Sequence, residues 1–132
     1  MSGKLVDMSG RRILLVEDIF HVAEALRETL VVMGHETDVV SSGEQALRAY
    51  EPGKYDLVIC DHAMPGMSGI ELTQVIRALC PRQLVLLMTN PVQSASTLHG
   101  GLSQADYMLP KPFSVKEFET ALASLLSSDR LA

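Results

Sequence analysis

Four short apolar runs in this sequence each end at a residue that is able to take part in metal or phosphate chemistry. The runs and the residues that follow them are ILLV (13–16) before Glu17 and Asp18, LVIC (57–60) before Asp61, LVLLM (84–88) before Thr89, and YMLP (107–110) before Lys111. Carboxylates, a hydroxyl group and an ammonium group are together the side chains that metal-assisted phosphoryl transfer requires.

The carboxylates predict a magnesium site beside a nucleophile. Carboxylates held close together repel each other unless a cation lies among them. Oxygen atoms of Asp18 and Asp61, completed by water, suit Mg²⁺, which binds to few protein ligands. Asp61 can also attack phosphorus and form an aspartyl phosphate. The Lys111 ammonium group and the Thr89 hydroxyl group can then contact the phosphoryl oxygens.

An alternation of strands and helices must bring these distant residues together. Continuous apolar runs indicate strands that are covered on both faces, and apolar residues at helical spacing indicate helices between them. Strands are predicted over residues 13–16, 37–40, 57–60, 84–88 and 107–109, and helices over residues 20–33, 43–50, 70–79, 92–104 and 115–127. The helix over 92–104 is expected to be short or mobile, because glycine, serine and threonine dominate it.

This pattern predicts an α/β fold, namely a flavodoxin-like, doubly wound, five-stranded parallel sheet with the order 2-1-3-4-5 and about five helices. In such a sheet, ligands bind outside the carboxyl ends of the strands. The polar residues that follow the four apolar runs are therefore expected to form one site.

The length and the net charge of the chain indicate how many domains it has and which partners it can bind. The chain has 132 residues and a formal net charge of −5, which predicts one domain over residues 12–128 with a flexible leader (1–11) and a C-terminal tail (129–132). The acidic balance argues against direct DNA binding, and the pattern leaves no room for a separate DNA-binding domain. No apolar run approaches the ~20 residues of a membrane span, and no secretory signal is visible, so a cytoplasmic location is expected.

The motifs, taken together, resemble the receiver domain of two-component response regulators. They are ILLVED (13–18), LVICDHAMPGMSGIEL (57–72), LLMT (86–89) and LPKPF (109–113), and the likeness extends over about residues 12–127. The resemblance implies a Mg²⁺-dependent signalling switch that is phosphorylated by a sensor histidine kinase or a histidine phosphotransfer protein. It also implies a downstream effector protein, the possibility of a phosphorylation-dependent dimer, and no conventional enzymatic turnover. Both a stand-alone regulator and the receiver of a hybrid kinase fit the sequence.

The resemblance also implies a role for each residue of the site. Asp61 would be the phosphoacceptor, and the side chains of Thr89 and Lys111 would contact the phosphoryl group. The metal would be held by Asp18, by Asp61, by the backbone carbonyl of Ala63, and by Glu17 mainly through water. The Lys111–Pro112 bond is expected to be cis.

Two departures from the family pattern affect how a signal would leave the site. Asn90 and Pro91 replace the usual small residue after Thr89, and the proline restricts Asn90 to extended conformations. Met108 stands where the family usually has an aromatic switch residue. Adjacent strand residues point to opposite faces, so Tyr107 cannot simply substitute for it. We predict that the usual coupling to Thr89 is weakened or is carried by Met108.

Three other functions compete with this interpretation. A pseudo-receiver interaction module would have the same fold without phosphorylation, but such modules lack one or more site residues, and all five are present here. A flavin-binding protein would need a phosphate-binding Ser/Thr/Gly run after the first strand, where this chain has Glu17 and Asp18. A metal-dependent phosphatase would need a separate general acid, and none is evident.

Overall fold

Five parallel strands form one sheet in the order β2-β1-β3-β4-β5, as the sequence predicted. The computed structural model describes residues 10–90 and 104–127. The elements are β1 (Arg12–Val16), α1 (Phe20–Val32), β2 (Glu36–Val40), α2 (Gly43–Ala49), β3 (Leu57–Asp61), α3 (Gly69–Leu79), β4 (Val85–Thr89), β5 (Tyr107–Pro110) and α4 (Val115–Leu126).

The described part of the chain contains four of the predicted helices. The remaining prediction, a helix over 92–104, falls outside the described residues except for Gln104, and so do most of the predicted leader and the whole predicted tail. The boundaries of the other elements agree with the predicted ones to within one residue. The difference at β3 and β4 matters most, because both strands extend by one residue to include Asp61 and Thr89.

Side-chain alternation along the strands divides the core into two layers. One layer, which we call the α1/α4 layer, lies between the sheet and helices α1 and α4, and it includes Leu15, Ile59 and the fully buried Phe118. The other, the α2/α3 layer, includes Val16 and Cys60 and the apolar faces of α2 and α3. Strands β1, β3 and β4 are therefore covered on both faces, which explains their continuous apolar runs.

Serine caps begin three of the helices that surround the site. Ser42 accepts a hydrogen bond from the Gln45 amide at the start of α2. Ser68 and Ser114 each form a capping box with the glutamate three residues later, at α3 and α4. A cap of this kind stabilises a helix by about 1 kcal/mol. The caps at Ser42 and Ser114 fix where α2 and α4 begin.

Candidate functional site

The side chains that the sequence predicted for the site lie at the carboxyl end of the sheet. Glu17 directly follows β1, Asp61 and Thr89 end β3 and β4, and Lys111 directly follows β5. The first three residues are buried, with only 1% of Glu17, 3% of Asp61 and 1% of Thr89 exposed. Buried carboxylates at strand ends are costly unless charged or polar partners accompany them.

Strand alternation explains why three of these side chains meet. Leu15, Ile59 and Leu109 all belong to the α1/α4 layer. Each is followed two residues later by Glu17, Asp61 or Lys111, and residues two apart on a strand point to the same face. The parallel register of β1, β3, β4 and β5 then brings these ends level.

The Lys111 ammonium group bridges two of the carboxylates. Its Nζ lies 3.2 Å from Asp61 Oδ2 and 3.5 Å from Glu17 Oε1. The lysine side chain is 29% exposed, whereas those of Asp61 and Glu17 are 5% and 0% exposed. Lys111 therefore closes the site from the solvent side and supplies a positive charge to buried carboxylates.

Three carboxylates form a cluster that could hold a metal ion. One oxygen from each of Glu17, Asp18 and Asp61 lies within 4.8 Å of the others. Glu17 Oε2 accepts a hydrogen bond from the Ile19 amide at 3.2 Å. Glu17 Oε1 and Asp18 Oδ1, although buried, have no hydrogen-bond partner among the described residues, and only the ion pair with Lys111 reaches Glu17 Oε1. The donor set is all oxygen, which fits Mg²⁺.

Burial raises the pKa of the Glu17 carboxyl group to about 7, and the negative charge of Asp61 adds to the shift. The hydrogen bond from the Ile19 amide and the charge of Lys111 oppose the shift without cancelling it. Burial disfavours the charged form of the carboxyl group, and a cation close to it would favour that form. The electrostatics of the cluster therefore favour the binding of a further cation.

The loop after β3 wraps closely around Asp61. The Ala63 amide donates to Asp61 Oδ1 at 3.4 Å, and the Gly69 amide donates to the His62 carbonyl at 3.0 Å. A Cβ atom on Gly69 would lie 2.6 Å from the Asp61 carbonyl oxygen, so only glycine allows α3 to begin this close to β3. Gly66 has a φ of +77°, which favours glycine in the turn.

Thr89 and Lys111 are also linked through their backbones. The Lys111 amide donates to the Thr89 carbonyl at 2.5 Å. The Lys111–Pro112 bond is cis, as the family resemblance implied. The hydrogen bond joins the end of β5 to the end of β4, beside which the Lys111 side chain reaches Asp61 and Glu17.

Tyr107 and Met108 lie on opposite faces of the sheet. Tyr107 packs against the α1/α4 layer, whereas Met108 packs against the α2/α3 layer. Met108 pairs in register with Leu87, two residues before Thr89, so Met108 shares a face with Thr89. The predicted division of the two side chains is confirmed, and the role of Met108 as a switch residue stays a prediction.

An apolar groove beside Lys111 was not predicted from the sequence. It has a volume of about 360 Å³ and lies between α1 and the segment after β5. Its lining residues are His21, Val22, Ala25, Leu26, Lys111, Pro112 and Phe113. The two segments are far apart in the chain, and only the fold brings them together. In the sequence, the apolar residues Val22, Ala25 and Leu26 at helical spacing indicated that α1 packs on the core. They did not indicate that part of α1 also lines a groove.

Within the described residues, no helix combines the length and apolarity that a membrane crossing requires.

Comparison with known proteins gives a consistent result. The family model described as "Response regulator receiver domain" matches residues 13–123. The DNA-binding response regulator MtrA of Mycobacterium tuberculosis is 38% identical over 112 residues, which cover 85% of this chain and 49% of MtrA. The non-phosphorylated receiver domain of HemR from Leptospira biflexa superposes with a TM-score of 0.82 at 30% identity, covering 89% of this chain and 95% of that one.

A third relative was solved as a complex. The response regulator TrrA of Thermotoga maritima, in complex with Mg²⁺ and beryllofluoride, is 36% identical with a TM-score of 0.78, covering 87% of this chain and 98% of that one.

The chain spans about half the length of the curated relatives it matches. Some of those relatives are named as DNA-binding regulators. The prediction that the protein does not bind DNA directly therefore has no support from them, and it applies at most to the residues of this chain.

Proposed function

The chain belongs to the response regulator receiver family, and from that premise we propose that it is a phosphorylation-dependent switch in which Asp61 accepts the phosphoryl group. The phosphoryl donor is a sensor histidine kinase or a histidine phosphotransfer protein. The observation that carries the proposal is the position of Lys111 Nζ, 3.2 Å from Asp61 Oδ2 and 3.5 Å from Glu17 Oε1. The Asp61 carboxylate is therefore buried and lies next to a positive charge.

The chemistry assigned to each side chain follows from this geometry. One Asp61 oxygen attacks phosphorus and forms the aspartyl phosphate. Lys111 neutralises charge on the phosphoryl oxygens, and the Thr89 hydroxyl group donates a hydrogen bond to one of them. The domain promotes only its own phosphorylation and dephosphorylation, and receiver domains as a family act in signalling.

Magnesium completes the proposed site. The residues that would hold it are Asp18 and Asp61 through their carboxylates, Ala63 through its backbone carbonyl, and Glu17 mainly through water. The buried oxygens of Glu17 and Asp18 that lack a hydrogen-bond partner among the described residues support this assignment, and so does the complex of TrrA with Mg²⁺ and beryllofluoride. The bound ion would supply further positive charge to the phosphoryl oxygens.

The output of the switch is a change in partner binding. Phosphorylation biases two states of the surface that includes β5 and α4, and an effector protein or a second copy of the chain binds to one state preferentially. In the cytoplasm such a receiver works alone, within a longer regulator or within a hybrid kinase.

Met108 is the residue proposed to couple the site to that surface. We expect the solvent accessibility of the Met108 side chain to fall on phosphorylation, because Met108 shares a face with Thr89. Oxidative footprinting of the methionine with and without Mg²⁺ and beryllofluoride measures this. Inward movement of Tyr107 with an unchanged Met108 would contradict the coupling.

Phosphoramidate provides a direct test of the proposed function, because its P–N bond resembles that of phosphohistidine. The wild-type chain with Mg²⁺ is expected to gain one phosphoryl group by intact-mass spectrometry, and an Asp61→Asn variant is expected to gain none. Glu119→Gln, which changes an exposed carboxylate on α4, is the matched control and should behave like the wild type. Equal incorporation into wild type and Asp61→Asn, or none into either, would sink the proposal and would favour a pseudo-receiver.

A further inference from the structure

A second groove, which we call the α2/α3 groove, lies on the face of the sheet opposite α1 and α4. It has a volume of about 480 Å³. Its lining residues come from the start of α2, the loop after β3 and the first turns of α3, and they are Glu44, Gly66, Met67, Glu71, Gln74 and Val75. The groove contains none of the residues assigned to phosphoryl transfer, and none from β5 or α4, so it is a separate surface.

A close contact holds one wall of this groove in place. Met67 packs against the α2/α3 layer and remains partly exposed. A Cβ atom on Gly43, the first residue of α2, would lie 2.8 Å from both the Cβ and the Sδ atoms of Met67. Only glycine therefore lets the loop after β3 lie this close to α2. A surface that is already formed binds a partner at a lower entropic cost.

Apolar side chains continue from the groove along α3. Val75 lines the groove and is 37% exposed. Leu79 is 55% exposed and lies one helical turn further along the same face of α3. Exposed apolar side chains that are grouped in this way are typical of protein interaction sites. A helix that lies along α3 would cover both of them.

Two carboxylates give the start of this surface a negative charge. Glu44 and Glu71 are exposed and lie in the first turns of α2 and α3. Neither forms an ion pair with another residue that the structure describes, and the lining contains no basic side chain. Glu71, Val75 and Leu79 follow one another at a spacing of four along α3, so the surface is acidic at one end and apolar at the other.

We propose that the α2/α3 groove docks a basic amphipathic helix of a partner protein. Its apolar side chains cover Val75 and Leu79, and its lysine or arginine side chains contact Glu44 and Glu71. A two-fold dimer through this face would bring the same carboxylates of two copies together. The acidic end would also repel a nucleic acid or an anionic lipid surface. The inference goes beyond the proposed function and does not require that Asp61 is phosphorylated.

Two helical peptides of about 18 residues serve as probes on the full chain. Both carry leucine along one face, and the remaining positions carry mainly lysine in one peptide and glutamate in the other. In an amide NMR titration, the lysine peptide is expected to shift the amides of Met67, Glu71, Val75 and Leu79. The glutamate peptide should bind about tenfold more weakly, because like charges meet at the groove.

A double variant tests the acidic end. Glu44→Gln combined with Glu71→Gln should weaken binding of the lysine peptide about tenfold, since each exposed ion pair contributes about threefold. Glutamine at position 71 can still accept the hydrogen bond from the Ser68 amide that caps α3. The control combines Glu28→Gln with Glu119→Gln, which neutralise two exposed carboxylates outside the groove. It should weaken binding by less than about twofold.

A single variant tests the apolar part. Val75→Gln should weaken binding of the lysine peptide about threefold, because part of the valine surface is no longer buried against an apolar partner. Val39→Gln makes the same change on β2, at a residue that is 36% exposed and lies outside the groove. It should leave the affinity unchanged.

The outcomes separate a docking groove from general attraction to an acidic chain. Equal binding of the two peptides, or equal weakening by the two double variants, would overturn the inference. Shifts centred on β5 and α4, or an affinity that Val75→Gln leaves unchanged, would overturn it as well. None of these results bears on Asp61, whose phosphorylation by phosphoramidate is measured separately. A chain that takes up no phosphoryl group but binds the lysine peptide in the groove would lose the proposed function and keep this inference.

Discussion

At the amino end of the sheet, polar side chains pair with one another, whereas at the carboxyl end three carboxylates form a cluster and the Lys111 ammonium group contacts two of them, among the residues that the structure describes. The hydrogen bonds between the amino-end side chains are short. Tyr50 Oη donates to Gln83 Oε1 at 2.7 Å, and Tyr55 Oη donates to Asp38 Oδ2 at 2.7 Å. Both ends belong to the same strands, so the difference reflects what each end does.

An ion pair shows most clearly how the amino end is satisfied. Arg77 Nη2 lies 3.0 Å from Asp106 Oδ2, with the side chains only 16% and 7% exposed. The same guanidinium group donates to the carbonyls of Pro81, Gln83 and Gln104, and Asp106 Oδ2 also accepts from the Val85 amide. This network joins the end of α3 to the starts of β4 and β5. The Asp106 carboxylate is thereby neutralised by Arg77.

At the carboxyl end, by contrast, Glu17 Oε1 and Asp18 Oδ1 accept no hydrogen bond from the described residues. Functional sites commonly sacrifice stability in this way, because the groups are arranged for a ligand rather than for each other. The comparison therefore predicts that neutralising a charge weakens the protein at the amino end and strengthens it at the carboxyl end.

The largest effect is expected at Arg77. Arg77→Met leaves a buried Asp106 carboxylate without its guanidinium partner, which should lower the free energy of unfolding by about 3 kcal/mol. Urea denaturation measures the loss. Arg48→Met, at an exposed arginine of α2, is the control and should change the free energy by less than about 0.5 kcal/mol. A loss of that small size for Arg77→Met would contradict the account of the amino end.

The next effect is the pH dependence of the free energy of unfolding that Glu17 causes, measured in the presence of a chelator so that the chain is free of metal. The pKa of Glu17 is raised to about 7 in the folded chain from 4.5, so the folded state binds the proton more tightly. The resulting stabilisation is fully present below pH 4.5 and is lost as the pH rises through about 7. A rise of the pKa from 4.5 to about 7 corresponds to about 3 kcal/mol. Glu17→Gln should remove this dependence, as measured by urea denaturation across that pH window. A pH profile that is identical in wild type and Glu17→Gln would contradict the prediction.

A smaller and favourable effect is expected at Asp18. Asp18→Asn removes one of the mutually repelling carboxylates, and it should raise the free energy of unfolding of the metal-free chain by about 1 kcal/mol. The same variant should lose most of the increase in melting temperature that Mg²⁺ produces in the wild type, because stabilisation by a ligand follows its binding. Thermal unfolding with and without Mg²⁺ measures both. Destabilisation by Asp18→Asn would show that the cluster is a satisfied structural network.

The smallest effect is expected at His35, at the amino end. Burial lowers the pKa of His35 below 6.5, and the charge of Arg11 adds to the shift while Asp56 opposes it. The His35 Nδ1 atom accepts a hydrogen bond from the Arg11 amide at 3.3 Å, which requires the neutral ring. Its contribution is fully present above pH 6.5 and is lost as the pH falls through the lowered pKa. Acidification thus acts in opposite directions at the two ends. A wild type and a His35→Asn variant that lose stability equally below that pH would contradict this.

The carboxyl end could be predicted from the sequence far better than the amino end. Asp61, Thr89 and Lys111 were recognisable because each stands directly at the end of an apolar run, and the ends of parallel strands meet at one edge. The amino-end partners carry no such mark. Arg77 and Asp106 are 29 residues apart, and Tyr50 and Gln83 are 33 apart. Their pairing depends on the path of the connecting turns, which local pattern does not determine.

The division of the core into two layers was also predictable from local sequence pattern. Strict alternation assigned Tyr107 and Met108 to opposite faces before the fold was known. The groove beside Lys111 was not predictable, because it depends on how α1 packs relative to Pro112 and Phe113. Tertiary packing of this kind has no local sequence signal.

The most direct test of the comparison is an amide NMR titration of the full chain with Mg²⁺ and beryllofluoride, which together imitate an aspartyl phosphate. The account predicts large shifts for the amides around Asp61, Thr89 and Lys111, and almost none for those of Tyr55 and Gln83. An Asp61→Asn variant should show no beryllofluoride-dependent shifts. Unchanged wild-type spectra, or the same shifts in the Asp61→Asn variant, would contradict the claim that the carboxyl end of the sheet is arranged for a phosphoryl group on Asp61.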